Sequence, residues 1–135
     1  MIVFEELRVT NDGENLIINA RVRKEPYYDD VYIDKVTIDT EETYSEGGLS
    51  KKPVYQYQVE GNQKEISLIV GKGDMLPKPS SHLFFVYVST KGNPKLDTPC
   101  GMDEQTTLGV TMYMGDFYNE FMKYIGEMGD DCNIP

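Results

Sequence analysis

Few residues in this chain have the types and spacing that chemistry requires. Tyr27-Tyr28-Asp29-Asp30 sets adjacent carboxylates behind tyrosines, as in the Tyr-x-Asp-Asp metal site of reverse transcriptases. That site needs further carboxylates and a palm domain far larger than 135 residues, so after Pro26 the stretch reads as turn chemistry. Gly71-Lys72-Gly73-Asp74 is glycine-rich with a lysine but lacks the spacing of a phosphate-binding loop and leads into no helix. His82, the sole histidine, follows Ser80 and Ser81, yet neighbours on a strand point to opposite faces, so Ser81 and His82 do not form a nucleophile–base pair. Asp29, Asp30, Asp34 and Asp39 are a conceivable calcium set with backbone carbonyls, but their spacing is not that of a helix–loop–helix site. Cys100 and Cys132 are too few for a disulfide framework and have no metal-ligand spacing. These residues predict no enzyme, no catalytic or metal residues and no cofactor.

The ten tyrosines, with no tryptophan, are the most distinctive feature of the composition. Tyrosine offers large amphipathic area at low entropic cost and is enriched at protein interfaces. Tyr113, Tyr118 and Tyr124, with Met122 as an adaptable apolar neighbour, are therefore the candidate subunit-interface residues.

Charge narrows the classes of partner. The chain has 13 Lys+Arg against 23 Asp+Glu, a net charge of −10. Residues 1–95 hold 12 basic and 15 acidic side chains, whereas residues 96–135 hold 1 basic and 8 acidic. Such a surface repels nucleic-acid backbone and anionic lipid, so tight binding to either is not expected. No run approaches the ~18 consecutive apolar residues of a membrane span. The opening Met1–Glu6 lacks a basic region followed by an apolar one, and no secretory leader is expected.

The elements that must position these residues are mostly strands. Alternation of apolar and polar positions dominates the first ~90 residues. Val3, Glu5, Leu7 and Val9 share one side of the opening segment, opposite Ile2 and Phe4. Asn11-Asp12-Gly13 turns the chain into a second strand whose buried face is Leu16, Ile18, Ala20 and Val22. Glu25–Asp30 reads as a connection. Val31–Thr40 follows as a strand with Tyr32, Val36 and Ile38 on one face and Asp34 interrupting. Val54–Glu60 alternates Tyr55, Tyr57 and Val59 with Gln56 and Gln58, and Ile66, Leu68 and Val70 line the next strand. Leu83–Val88 is an unbroken apolar run, the mark of a strand covered on both faces. Exposed loops are expected at Glu41–Pro53 and Gly71–Ser81, where glycine, proline and serine gather.

The period then changes. Val110, Met114, Phe117, Phe121, Ile125 and Met128 recur at three- and four-residue steps and predict an amphipathic helix over about 106–128, started by Asp103 or Thr106 and ended by Gly129. A loose acidic end follows at 129–135. The expected fold is a mainly β, antiparallel β-sandwich of six to seven strands with one C-terminal amphipathic helix, forming a single domain over 1–135.

Several stretches resemble a small virion structural protein of the crAss-like bacteriophages. They are Asp29–Asp34, Ile38-Asp39-Thr40, Pro53–Lys64, Leu83–Gly92 and Asp97–Asp103. The wording is that of strands and turns, so no catalytic or metal residue carries over. The resemblance implies a non-enzymatic ring or connector subunit of the portal–tail barrel, in the virion after assembly in the host cytoplasm. Its implied partners are copies of itself in a cyclic homo-oligomer, the portal and other tail or ring proteins, with DNA passing through. Contacts are expected through the two exposed loops and the outer face of the 110–128 helix. The alternatives from the residues alone are a carbohydrate- or calcium-dependent binding module and an acidic inhibitor of a host DNA-binding factor.

Overall fold

The computed structural model describes residues 2–23, 26, 28–43, 52–80, 82–94, 104–113 and 122–129. They form eight strands: β1 (Phe4–Asn11), β2 (Asn15–Val22), β3 (Tyr28–Thr40), β4 (Tyr55–Gln58), β5 (Glu65–Gly71), β6 (Leu83–Pro94), β7 (Glu104–Tyr113) and β8 (Met122–Gly129). The one helical element among the described residues is a 3₁₀ turn at Lys72–Asp74. The strands make two antiparallel sheets, one ordered β1-β2-β5 and the other β4-β3-β6-β7-β8.

The β1–β2 hairpin closes as the sequence predicts. The Asp12 carboxylate accepts bonds from the N–H groups of Glu14 (3.0 Å) and Asn15 (2.7 Å), and Gly13 takes a φ of +94°. Those bonds hold the Asp12 carboxyl below its ordinary pKa. The phase along β1 differs from strict alternation. A bulge between Phe4 and Glu6 turns Glu5 outward, so that Ile2 and Phe4 pack on the same core as Leu7 and Val9.

The interruption at Asp34 has the same physical origin. Register shifts between Ile33 and Lys35, and so Val31 and Ile33 before the shift share the core with Val36 and Ile38 after it. Strand β3 also starts earlier than expected, at Tyr28, which puts Asp29 and Asp30 on a strand rather than in a turn. One cluster joins the sheets: Val9, Leu16, Ile18, Ile66 and Val70 from the first meet Ile33, Val36, Ile38, Phe84, Val86 and Val88 from the second. On β6 the opposite face is covered too, with Tyr87 and Ser89 buried, as the unbroken apolar run predicts.

Among the described residues the expected C-terminal helix is not there. Residues 104–113 and 122–129 are strands that extend the five-stranded sheet beyond β6. The reason lies in composition and in demand. Thr106, Thr107, Val110, Thr111 and Tyr113 favour extended backbone, and Gly109 and Gly126 each disfavour helix by ~1 kcal/mol. A helix there would also leave the second edge of β6 unpaired over ten positions that β7 now fills, from Leu83↔Tyr113 to Gly92↔Glu104. Beyond Gly129, which ends β8, the expected loose end lies outside the described residues.

Replacing Phe84, fully buried at the centre of this core, by alanine is expected to remove about 3–5 kcal/mol of stability. Ile69→Ala, at a 70% exposed position, should stay within about 0.5 kcal/mol of the parent. Urea unfolding of the two variants checks both values.

Candidate assembly surface

The residues singled out for chemistry do not converge. Asp30 binds Lys64 Nζ (2.8 Å) and Asn62 Nδ2 (3.1 Å), while Asp34 accepts from Gln58 Nε2 (3.0 Å) and lies 3.7 Å from Lys91 Nζ. Asp39, fully buried, accepts from Thr43 Oγ1 at 2.9 Å. Asp29 is exposed. Of the four aspartates of the expected calcium set, Asp30 and Asp34 thus tie β3 to neighbouring segments, Asp39 holds the turn after β3, and Asp29 stands apart. Among the described residues no three His, Cys, Asp or Glu side chains gather as metal ligands.

In the Gly71–Asp74 turn the Asp74 carboxylate accepts the Gly71 N–H at 2.8 Å, so that donor is occupied from within. His82 Nδ1 lies 3.3 Å from Lys72 Nζ, and Ser80 Oγ bonds Glu42 Oε1 at 3.4 Å. Ser81, Cys100 and Cys132 lie outside the described residues.

What the fold does bring together is one lateral side. Between β4 and β5 the chain crosses from one sheet to the other through Gly61 (φ +80°) and Asn62 (φ +49°). It is pinned on both sides of the crossing: Ile33 N donates to Gln63 O at 2.7 Å and Val22 N to Lys64 O at 2.9 Å. Edge strands β4 and β5 therefore flank the same side. The loop after β5 folds back over it. Met75 is buried, Leu76 N donates to Val54 O at 2.8 Å, and the Leu76 side chain stands 83% exposed. Thus the described parts of the two predicted loops, 41–43 with 52–53 and 71–80, meet at Glu42–Ser80 and beside Val54–Leu76.

Of the candidate interface residues, Tyr113 closes β7 opposite Leu83. Met122 and Tyr124 sit on β8, in register with Met112 and Val110. Tyr118 lies outside the described residues. Among the described residues no helix face unites them, and three of them fall on the last two strands of one sheet. An alternate-residue reading of Met122, Tyr124, Gly126 and Met128 was the available signal for β8.

Comparison with known proteins adds the family. The model for Crassvirus tail hub protein A matches residues 2–135. The chain is also 34% identical over 164 residues to tail hub protein A of Bacteroides phage crAss001, covering 98% of this chain and 76% of that protein. The chain belongs to the Crassvirus tail hub protein A family. It is a tail protein of the crAss-like phages, and the expectation of a virion component of these phages stands at that level. The match is to a tail hub protein, and it specifies no portal connector ring.

Tyr55 on β4 reports on this side of the molecule. Burial, then the nearby Asp74 carboxylate, pushes its phenol above the ordinary value. Because the folded pKa is raised, the stability owed to neutral Tyr55 is complete below about pH 10 and lost as pH climbs through the folded value. Asp74→Asn removes one of the two main causes, and the Tyr55 ring resonances should then titrate at lower pH in an NMR series.

Proposed function

We propose that this protein is a non-enzymatic structural subunit of the phage tail hub, repeated head-to-tail around the tail axis and in contact with neighbouring tail proteins. The observation that carries the reading is family membership over residues 2–135. Three features of the chain support it.

Asp30 and Asp34 hold strands together through Lys64 and Gln58, and among the described residues no three His, Cys, Asp or Glu side chains gather. The two sides of the sandwich are built from different strands, so neighbouring copies related by rotation would make a heterologous contact, the kind that closes into rings. The net charge of −10 suits a wall past which DNA must move without being retained. In this reading Tyr113, Tyr118, Met122 and Tyr124 belong to the contact with an adjoining subunit, and the portal and other tail proteins are the partners above and below. The protein works in the virion after assembly in the host cytoplasm.

Quantitative mass spectrometry of purified virions tests the reading. A copy number equal to that of the portal protein, or in a simple ratio to it, is the expected result. Absence from virions in spite of expression in infected cells would overturn it.

A further inference from the structure

Strand β5 ends the three-stranded sheet, and its bonds show which backbone groups face outward. Val22 N donates to Lys64 O across the β2–β5 pair, so Lys64, Ile66, Leu68 and Val70 turn their N–H and C=O groups to β2. The odd-numbered positions turn theirs away. The chain itself closes this outer row at both ends. Gln63 O accepts from Ile33 N at 2.7 Å, and Gly71 N donates to the Asp74 carboxylate at 2.8 Å. Between those closures, the N–H and C=O groups of Glu65, Ser67 and Ile69 meet no partner among the described residues.

Sheet edges are normally blunted against strand addition. Edge strand β1 has its bulge between Phe4 and Glu6, and edge strand β4 is four residues long. Strand β5 runs seven residues in unbroken register with β2, has no proline and carries one charged side chain, Glu65. Apolar side chains border it on both faces. On the outer face Ile69, 70% exposed, sits opposite Ile17 of β2. On the inner face Leu68 is half-buried, as are Tyr55 and Tyr57 of β4 on the same side of the sandwich. Charge differs between the two ends of the row. Lys72 and Lys78 follow its Gly71 end, and neither is in an ion pair among the described residues, while Asp74 is turned to Gly71 N. Exposed Glu60 and Glu65 lie at its Gln63 end, where Lys64 is held by Asp30 at 2.8 Å and Glu65 approaches Arg21 only to 3.8 Å.

We infer that two copies of this chain pair through their β5 edges, antiparallel about Ser67, so that their sheets join in the order β1-β2-β5-β5-β2-β1. Ser67 then faces Ser67 of the second copy and Glu65 faces its Ile69, and every open N–H and C=O of both rows finds a partner. The occupant is a second copy because the row complements itself when reversed. The lysine end of each copy meets the glutamate end of the other, and the two open rows are equal in length. The contact stops at two copies, since pairing uses up the edge that makes it. It does not rest on the head-to-tail reading, because repetition around a ring of more than two copies never sets a residue against its own copy. The pair is a form of the chain outside that contact, in which an unguarded edge is covered.

Self-crosslinking tests this, since only a two-fold contact joins a residue to its own copy. The full-length chain is used with Cys100→Ser and Cys132→Ser, each variant being checked by thermal melting for a retained fold. In the pair the two copies of Ser67 have Cα atoms about 5.5 Å apart, within disulfide reach, and the two copies of Ile69 stand about 14 Å apart. Under mild oxidation Ser67→Cys should give a covalent dimer and Ile69→Cys should not, while Glu65→Cys mixed with Ile69→Cys should. Ser67→Pro removes an outward N–H and leaves the β2 ladder intact, so it should weaken dimerisation about tenfold or more in sedimentation velocity. Ile69→Glu sets like charges face to face and should weaken it as well. A parent chain that stays monomeric at every concentration overturns the inference. So does a Ser67→Cys chain that yields no covalent dimer, or an Ile69→Cys chain that crosslinks as readily.

Discussion

The antiparallel pairing of β3 with β6 is the constraint on which the remaining structure depends. The pairing runs from Tyr28↔Pro94 to Thr40↔Phe84, with both strands central in their sheet. Its inner face supplies Ile33, Val36, Ile38, Phe84, Val86 and Val88 to the core, and its outer face is buried at Thr37, Asp39, Tyr87 and Ser89. A pair of strands buried on both faces cannot end a sheet, because the unpaired N–H and C=O groups would then lie in a dry interior. That requirement recruits β4 on one flank and β7 on the other, and it explains why a segment with helical spacing is extended.

Two bulges tune this frame. Strict alternation along β3 would send Val31 and Ile33 to one face and Val36 and Ile38 to the other. The extra residue at Asp34 resets the phase, and its carboxylate is then free to accept from Gln58 across to β4. The bulge at Glu5 does the same for Ile2 and Phe4. Each costs a ladder position and returns a longer continuous apolar face, the dominant favourable contribution in a domain of this size.

How much of this could be read in the sequence follows from the range of the interactions involved. The β1–β2 hairpin was legible because Asn11-Asp12-Gly13 fixes its turn locally and Leu16, Ile18, Ala20 and Val22 alternate without fault. The double-sided burial of β6 was legible from Leu83–Val88. The phase of Ile2 and Phe4 was not, since a bulge is set by what the partner strand presents, here Arg21 and Val22. The last third misled for a related reason. Val110, Met114, Phe117 and Phe121 fit a helical stripe, while Thr106, Leu108, Val110 and Met112 fit a strand equally well, and only the unpaired edge of β6 decides between them. At the candidate surface, the loops over 41–53 and 71–81 were legible as exposed, but their meeting at Val54–Leu76 depends on the crossing between the sheets.

The same topology orders the strands across the molecule. A sandwich whose chain passes from β4 straight to β5 keeps those two edges on one side and sends the last strands added, β7 and β8, to the other. Sequence order thereby becomes spatial order across the width of the molecule. The surfaces on the two sides are therefore made of different residues, one of edge strands β4 and β5 and the other of β7 and β8.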